Sequence, residues 1–148
     1  MTYHHILVPT DGSDRSLRAL DQGLGLARMA GSRLTLLHVI APAPVPVVGM
    51  GDQLDARTLE SLMRVAREDS ERILAQGLAV AQASGVEASR EQVSGDPPHS
   101  AIVAAAQRLH CDLIVMASHG RRGVAGLLLG SETQRVLVHA PCPVLVVR

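Results

Sequence analysis

Short unbroken apolar runs alternate along this chain with longer stretches whose apolar positions recur every three or four residues. The runs read as buried strands and the stretches as amphipathic helices. HHILVP (4–9) is the first such strand. TDGSD (10–14) follows as a turn with Ser13 and Asp14 as N-cap candidates. Leu17, Leu20, Leu24 and Ala27 then trace a helix face that Gly31 can end, and SRLTLLHVI (32–40) is a second buried strand. Ala41–Leu54 is rich in Pro and Gly and has no period, which suits a lid or a partner surface. A long helix is expected from about Asp55 to Ser84, with Leu59, Leu62, Ala66, Ile73, Leu74, Leu78 and Ala81 as its apolar stripe and Gly85 as its stop. Val86–Ser94 reads as a polar edge strand. GDPPHS (95–100) reads as a turn in which Asp96 caps a helix over Pro97–Leu109. CDLIVMAS (111–118) is a buried strand, a helix follows from about Ser131 to His139, and PCPVLVVR (141–148) is a last strand. Its two prolines confine it to an edge or to the start of pairing.

This β-α-β-α-β-α-β-α-β order predicts one doubly wound, five-stranded parallel α/β sheet with helices on both faces. Right-handed crossovers favour the strand order 3-2-1-4-5. In that order the first and fourth strands are neighbours, and ligands bind at the reversal point beyond their carboxyl ends. Those ends carry PTDGSD and ASHGRRG. Residues 1–148 read as a single domain.

The stretch ASHGRRGVAGLLLGSET (117–133) is where chemistry is expected. Gly120, Gly123, Gly126 and Gly130 join a buried strand to a helix start. Such a loop lets main-chain N–H groups close on an anion, and the positive end of the helix dipole favours it. Arg121 and Arg122 can counter phosphate charge. It is neither a Walker loop, which needs a Lys, nor a G-x-G-x-x-G fingerprint. Ser131-Glu132-Thr133-Gln134 also fits a capping box, in which Ser131 would satisfy the helix's own N–H groups. Asp11, at the end of the first strand, is suited to ribose hydroxyls or to a turn. His38 and Val39 close the second strand, where main-chain groups can meet a base edge.

Composition narrows the options. All 14 basic residues are Arg, so Schiff-base chemistry is excluded. The formal net charge is zero, which argues against nucleic acid as a partner. Seven His residues are scattered without metal-ligand spacing, so no metal site is expected in the protein itself. Cys111 and Cys142 read as buried free thiols of a reducing compartment. No run approaches the ~20 apolar residues of a membrane span, and the N-terminus does not read as a secretory signal. A cytoplasmic location is expected. No G-x-S-x-G elbow or paired carboxylates suggest an enzyme, and Ser118 and His119, as chain neighbours, are not expected to face each other.

The opening HHILVPTDGSDRSLRAL, the strand LTLLHVI, the turn GDPPHSAI, the block DLIVMASHGRRGVAGLLLGSETQRVL and the ending HAPCPVLVV together resemble the universal stress protein family over essentially the whole chain. The resemblance implies the adenine nucleotide alpha hydrolase-like fold and an ATP-binding regulatory module in stress response. It implies at most slow ATP hydrolysis. The implied cofactor is ATP, or AMP or ADP, with Mg²⁺ or Mn²⁺ on the phosphates. Pro9, Thr10 and Asp11 would line the adenosine end, and Val39 would offer main-chain groups to adenine. Ala117, His119, Gly120 and Arg121 would follow the ribose and phosphates. Gly130, Ser131, Glu132 and Thr133 would hold the phosphates. The last strand, Cys142–Val147, resembles the family's homodimer element.

ATP-binding members carry Gly, two residues, Gly, nine residues, then Gly-Ser or Gly-Thr. Here Ala117 stands at the first glycine, which is tolerable where the backbone has negative φ. The alternative is a dimeric interaction module of the same fold without nucleotide. An enzyme cutting ATP between its α and β phosphates is disfavoured, because the T-D-G-S-D-R-S turn lacks the glycine pair of S-G-G-x-D-S.

Overall fold

The computed structural model describes residues 2–42, 55–119 and 129–148. Five strands, β1 (His5–Pro9), β2 (Arg33–Ile40), β3 (Ala88–Ser94), β4 (Leu113–Ala117) and β5 (Val144–Val147), form one sheet in the order β3-β2-β1-β4-β5. Every pairing is parallel. The central strands β1 and β4 are buried throughout, apart from Pro9 at the margin, and are apolar on both faces after His5. The polar β3 and the short β5 take the edges, where one face can meet water.

Helices α1 (Asp14–Ala30) and α2 (Ala56–Ala83) cover one face, where Ile6, Val8, Leu20, Leu24, Leu36, Leu74 and Val115 form a core. Helices α3 (Pro98–Arg108) and α4 (Ser131–His139) cover the other, around Leu7, Leu37, Ile102, Ile114 and Val136. Two glycines let helix backbones approach the sheet closely. A Cβ on Gly23 would lie 2.9 Å from Val8 Cγ2, and one on Gly77 would lie 2.9 Å from Leu36 Cδ1.

The ends of α1 and the start of α2 follow their local chemistry, while the stripe of α2 and the start of α3 differ from expectation. Ser13 caps α1 by accepting from Ser16 N–H, and Gly31 closes it at φ 67°. Asp55 caps α2 by accepting from Thr58 N–H. The stripe of α2, however, is buried only from Ser70 onward, at Ser70, Ile73, Leu74, Gly77 and Ala81. Leu59 and Leu62 lie on the turns before it and are exposed. Ser70 marks the boundary because it pairs with His38 Nδ1 at 2.8 Å near the end of β2, so the earlier turns extend past the sheet. Helix α3 is not capped by Asp96. Its N-cap is Pro97, which follows a cis peptide bond and makes no side-chain cap hydrogen bond.

Candidate functional site

The reversal point lies beyond Pro9 and Ala117, where β1 pairs with β2 on one side and β4 on the other. Thr10 leaves β1 with its N–H bonded to Leu37 O at 2.8 Å. Its hydroxyl donates to Ser16 Oγ at 3.1 Å, which ties the strand end to α1. Asp11 accepts from Ser13 N–H at 3.0 Å, so its carboxylate shapes the turn as an Asx contact. Gly12, at φ 77°, completes that turn in a conformation that favours glycine. Pro9 and Asp11 are half-buried. Val39 is half-buried two residues beyond Leu37, in register with Val93 of β3.

On the neighbouring strand, Ala117 is paired in register with Val147, and Ser118 N–H continues the ladder to Val147 O at 2.8 Å. Among the described residues, the non-glycine position with positive φ is His110. Ala117 therefore sits in ordinary extended backbone, and its methyl group needs no left-handed conformation.

Helix α4 begins where β4 ends. Gly130 N–H donates to Ser118 O at 2.8 Å, and the Thr133 hydroxyl reaches the carbonyl oxygens of Ala117 and Ser118, each at 3.1 Å. These contacts hold the first turn of α4 against the end of β4. A Cβ on Gly130 would lie 3.1 Å from Ser118 O and 3.4 Å from His119 Cα, so this glycine is required by close approach and not by φ, which is −67°.

The expected capping box is not formed. Gly130, rather than Ser131, is the N-cap, and no side chain caps the helix. Ser131 is exposed at the first helical position. Gln134 turns its side-chain amide to Leu129 O at 3.1 Å. The Glu132 carboxylate leaves the helix end altogether. One of its oxygens accepts from His99 N–H of α3 at 2.7 Å and lies 3.0 Å from His99 Nδ1. Among the described residues, the first N–H groups of α4 thus have no side-chain partner at the positive end of the helix dipole.

A second feature stands at the same place. His119 is 8% exposed, and its Nε2 is buried with no hydrogen-bond partner among the described residues. Its Nδ1 pairs with Ser118 Oγ at 3.1 Å, so these chain neighbours do face each other, contrary to expectation. The ring edge that carries Nε2 packs toward Gly130, since Cδ2 lies 3.5 Å from where a Cβ would stand there. A buried polar atom left unpaired is costly, and such an atom at a site often marks a missing partner. An uncapped helix start and an unpaired imidazole nitrogen together favour an anion with hydrogen-bond acceptors.

Of the positions singled out in the sequence, Pro9, Thr10, Asp11, Ala117, His119, Gly130, Ser131 and Thr133 come from the ends of β1 and β4 and the start of α4. Val39 comes from the end of β2. Gly120 and Arg121 lie outside the described residues, as does the 43–54 part of the proposed lid. No cluster of three or more His, Cys, Asp or Glu side chains fit to hold a metal occurs among the described residues. No described helix is long and apolar enough to cross a membrane. Sequence reasoning did not find the Glu132–His99 contact. The capping-box pattern pointed Glu132 along its own helix, whereas the Pro97-Pro98 pair, which has no N–H to donate, leaves His99 with the first free donor of α3.

The fold and the site define a doubly wound α/β protein whose strand reversal brings together the ends of β1 and β4 and the start of α4. Comparison with known proteins gives the family. The model of the universal stress protein family matches residues 2–148, and the chain belongs to that family. A universal stress protein of Methanocaldococcus jannaschii is 33% identical over 146 residues, covering 99% of this chain and 82% of the relative. The structure of UspA from Lactobacillus plantarum superposes with a TM-score of 0.84 at 27% identity, covering 100% of this chain and 99% of that one. A universal stress protein crystallised in complex with cAMP superposes with a TM-score of 0.74 at 28% identity, covering 100% and 99%.

Proposed function

We propose that this protein binds an adenine nucleotide across the carboxyl ends of β1 and β4 and acts as a regulatory module in stress response. The observation that carries this reading is the pairing of an uncapped α4 start with the unpaired Nε2 of His119. A phosphate group there accepts from the first main-chain N–H groups of α4 and from His119. The cAMP complex of a related structure supports an adenine nucleotide as the ligand class.

In this reading the phosphates lie at Gly130, Ser131, Glu132 and Thr133, held by the main-chain N–H groups of Ser131, Glu132 and Thr133, with Gly120 and Arg121 closing from the loop. Ala117 and His119 follow the ribose and phosphates. Asp11 accepts from ribose hydroxyls, and Pro9, Thr10 and Val39 line the adenosine end. ATP is the proposed ligand, with AMP and ADP as weaker alternatives, and Mg²⁺ or Mn²⁺ arrives on the phosphates. A site made mostly of main-chain donors binds charge rather than activating water, so turnover is expected to be slow. The proposed setting is the cytoplasm.

We also propose a homodimer through the C-terminal strand. The strand β5 is an edge, and Leu145 on it and Leu137 and Val138 on α4 are exposed apolar side chains.

Calorimetric titration of the purified protein with ATP, ADP and AMP, together with mass spectrometry of co-purifying small molecules, tests the reading. Binding heat with an adenine nucleotide is expected. No heat at millimolar nucleotide would leave the alternative of an interaction module without a ligand.

A further inference from the structure

A carboxylate on the first turn of α4 is out of place beside a phosphate site. It carries the charge of the ligand, and it has access to the same N–H groups. Glu132 occupies that position, yet its carboxylate is engaged elsewhere. One oxygen takes the His99 N–H at 2.7 Å and lies 3.0 Å from His99 Nδ1, while the other lies 3.8 Å from Arg135. The arrangement answers a need of α3. Its N-cap and first helical residue are Pro97 and Pro98, neither of which has an N–H, and no side chain of its own caps it. Glu132 therefore serves as the cap of α3 from another helix. The His99 ring is itself fixed, being largely buried and stacked on the His139 ring at a centroid distance of 6.1 Å.

We propose that Glu132 and His99 act as positioning residues for the phosphate site. By holding the Glu132 carboxylate on α3, His99 keeps that charge away from the N–H groups of α4 that take the ligand. This inference rests on the nucleotide reading of the site. Glu132 contributes to binding only through its main chain, and His99 does not touch the ligand. Among the described residues, the groups that face the carboxylate are His99 from α3 and Arg135 from its own helix, with His139 behind the His99 ring.

The test uses the full chain and AMP as probe. Replacing the ring by His99→Leu removes the Nδ1 contact and leaves the main-chain N–H of position 99 to hold the carboxylate from α3, so the carboxylate turns more readily to its own helix end. AMP affinity is expected to fall about two- to fivefold, the factor corresponding to about 0.3–1 kcal/mol of charge at a helix end. Adding Glu132→Gln to His99→Leu is expected to recover most of that loss, because the competing charge is gone. His99→Gln, which keeps a side-chain donor, is expected to stay near the parent affinity. An unchanged affinity in His99→Leu, or an equal loss in the double variant, overturns the proposal.

A second measurement needs no nucleotide. Amide NMR shifts compared between the parent protein and Glu132→Gln report where the carboxylate sits. The largest shift is expected at the His99 N–H. A response centred on the amides of Glu132 and Thr133 overturns the proposal even if the parent protein binds no AMP, a result that would by itself defeat the nucleotide reading.

Discussion

The Thr133 hydroxyl lies 3.1 Å from the carbonyl oxygen of Ala117, so the first turn of α4 is bonded directly to the last residue of β4. Thr133 is 3% exposed, and Ser118 O is a second acceptor at 3.1 Å. Thr133→Val keeps the shape but removes the donor. It is expected to destabilise the protein by about 1–3 kcal/mol, because Ala117 O loses this donor and Ser118 O is left with the Gly130 N–H. Thr133→Ser is expected to recover most of the loss. Urea unfolding of the three proteins checks this, and equal midpoints would contradict it.

Gly130 is the position at which the site is least tolerant. A Cβ there would meet Ser118 O at 3.1 Å, and a main-chain oxygen that also accepts the Gly130 N–H has little room to yield. Gly130→Val is expected to remove detectable nucleotide binding and to cost about 1–3 kcal/mol of stability. Gly130→Ala is expected to do both to a smaller degree. Titration calorimetry and thermal unfolding read the two effects separately.

Two glycines in α1 should respond in opposite ways. Gly25 has open space where a Cβ would go, and Gly25→Ala is expected to stabilise by about 0.5–1 kcal/mol through helix propensity. Gly23 faces Val8 Cγ2 at 2.9 Å, and Gly23→Ala is expected to destabilise by about 1–3 kcal/mol as α1 is pushed off the sheet. Chemical denaturation of both variants decides the sign.

His5 makes stability depend on pH. Its ring is buried, with Nε2 2.8 Å from Thr35 Oγ1 and Nδ1 3.1 Å from Leu109 O. Burial, with help from the Arg33 charge, lowers its pKa from 6.5, while the Leu109 carbonyl and Asp112 pull the other way without reversing the shift. The unfolded chain therefore binds the proton more readily than the folded one. Stability from this group is complete above pH 6.5, falls as the pH drops through 6.5, and levels off below the folded pKa. Urea midpoints between pH 7.5 and 5 should show this fall, and it should shrink in His5→Gln.

The thiols should be inert. Burial, together with the neighbouring Cys142 and Asp112, pushes Cys111 up to about 12, and burial also raises Cys142. Alkylation at pH 8 is expected to be slow in the folded protein and fast in denaturant, because the thiolate is the reactive form. Rapid labelling of folded protein would contradict the packing around both residues.

Periodicity was enough to read the element types, because in a parallel sheet the central β1 and β4 are buried on both faces while β3 is not, and right-handed crossovers then favoured the observed strand order. The bounds of α4, Ser131–His139, were legible for the same reason. The capping of α3 and α4 was not. Ser131-Glu132-Thr133-Gln134 satisfies a local rule, but Glu132 has a nearer donor on α3 than on its own helix, and no local pattern shows a contact 33 residues away. The exposed turns of α2 were misread because a helical stripe does not say where the sheet beneath it stops. His119 stood out only as part of a motif. That its Nε2 is buried and unpaired is a fact of packing.

The most direct measurement is an amide and imidazole NMR titration of the protein with ATP and with AMP. The largest shifts are predicted at the main-chain amides of Ser131, Glu132 and Thr133 and at the His119 ring, with smaller ones at Thr10 and Asp11. Saturating shifts confined to other surfaces, or none at millimolar nucleotide, would contradict a phosphate seated between His119 and the start of α4.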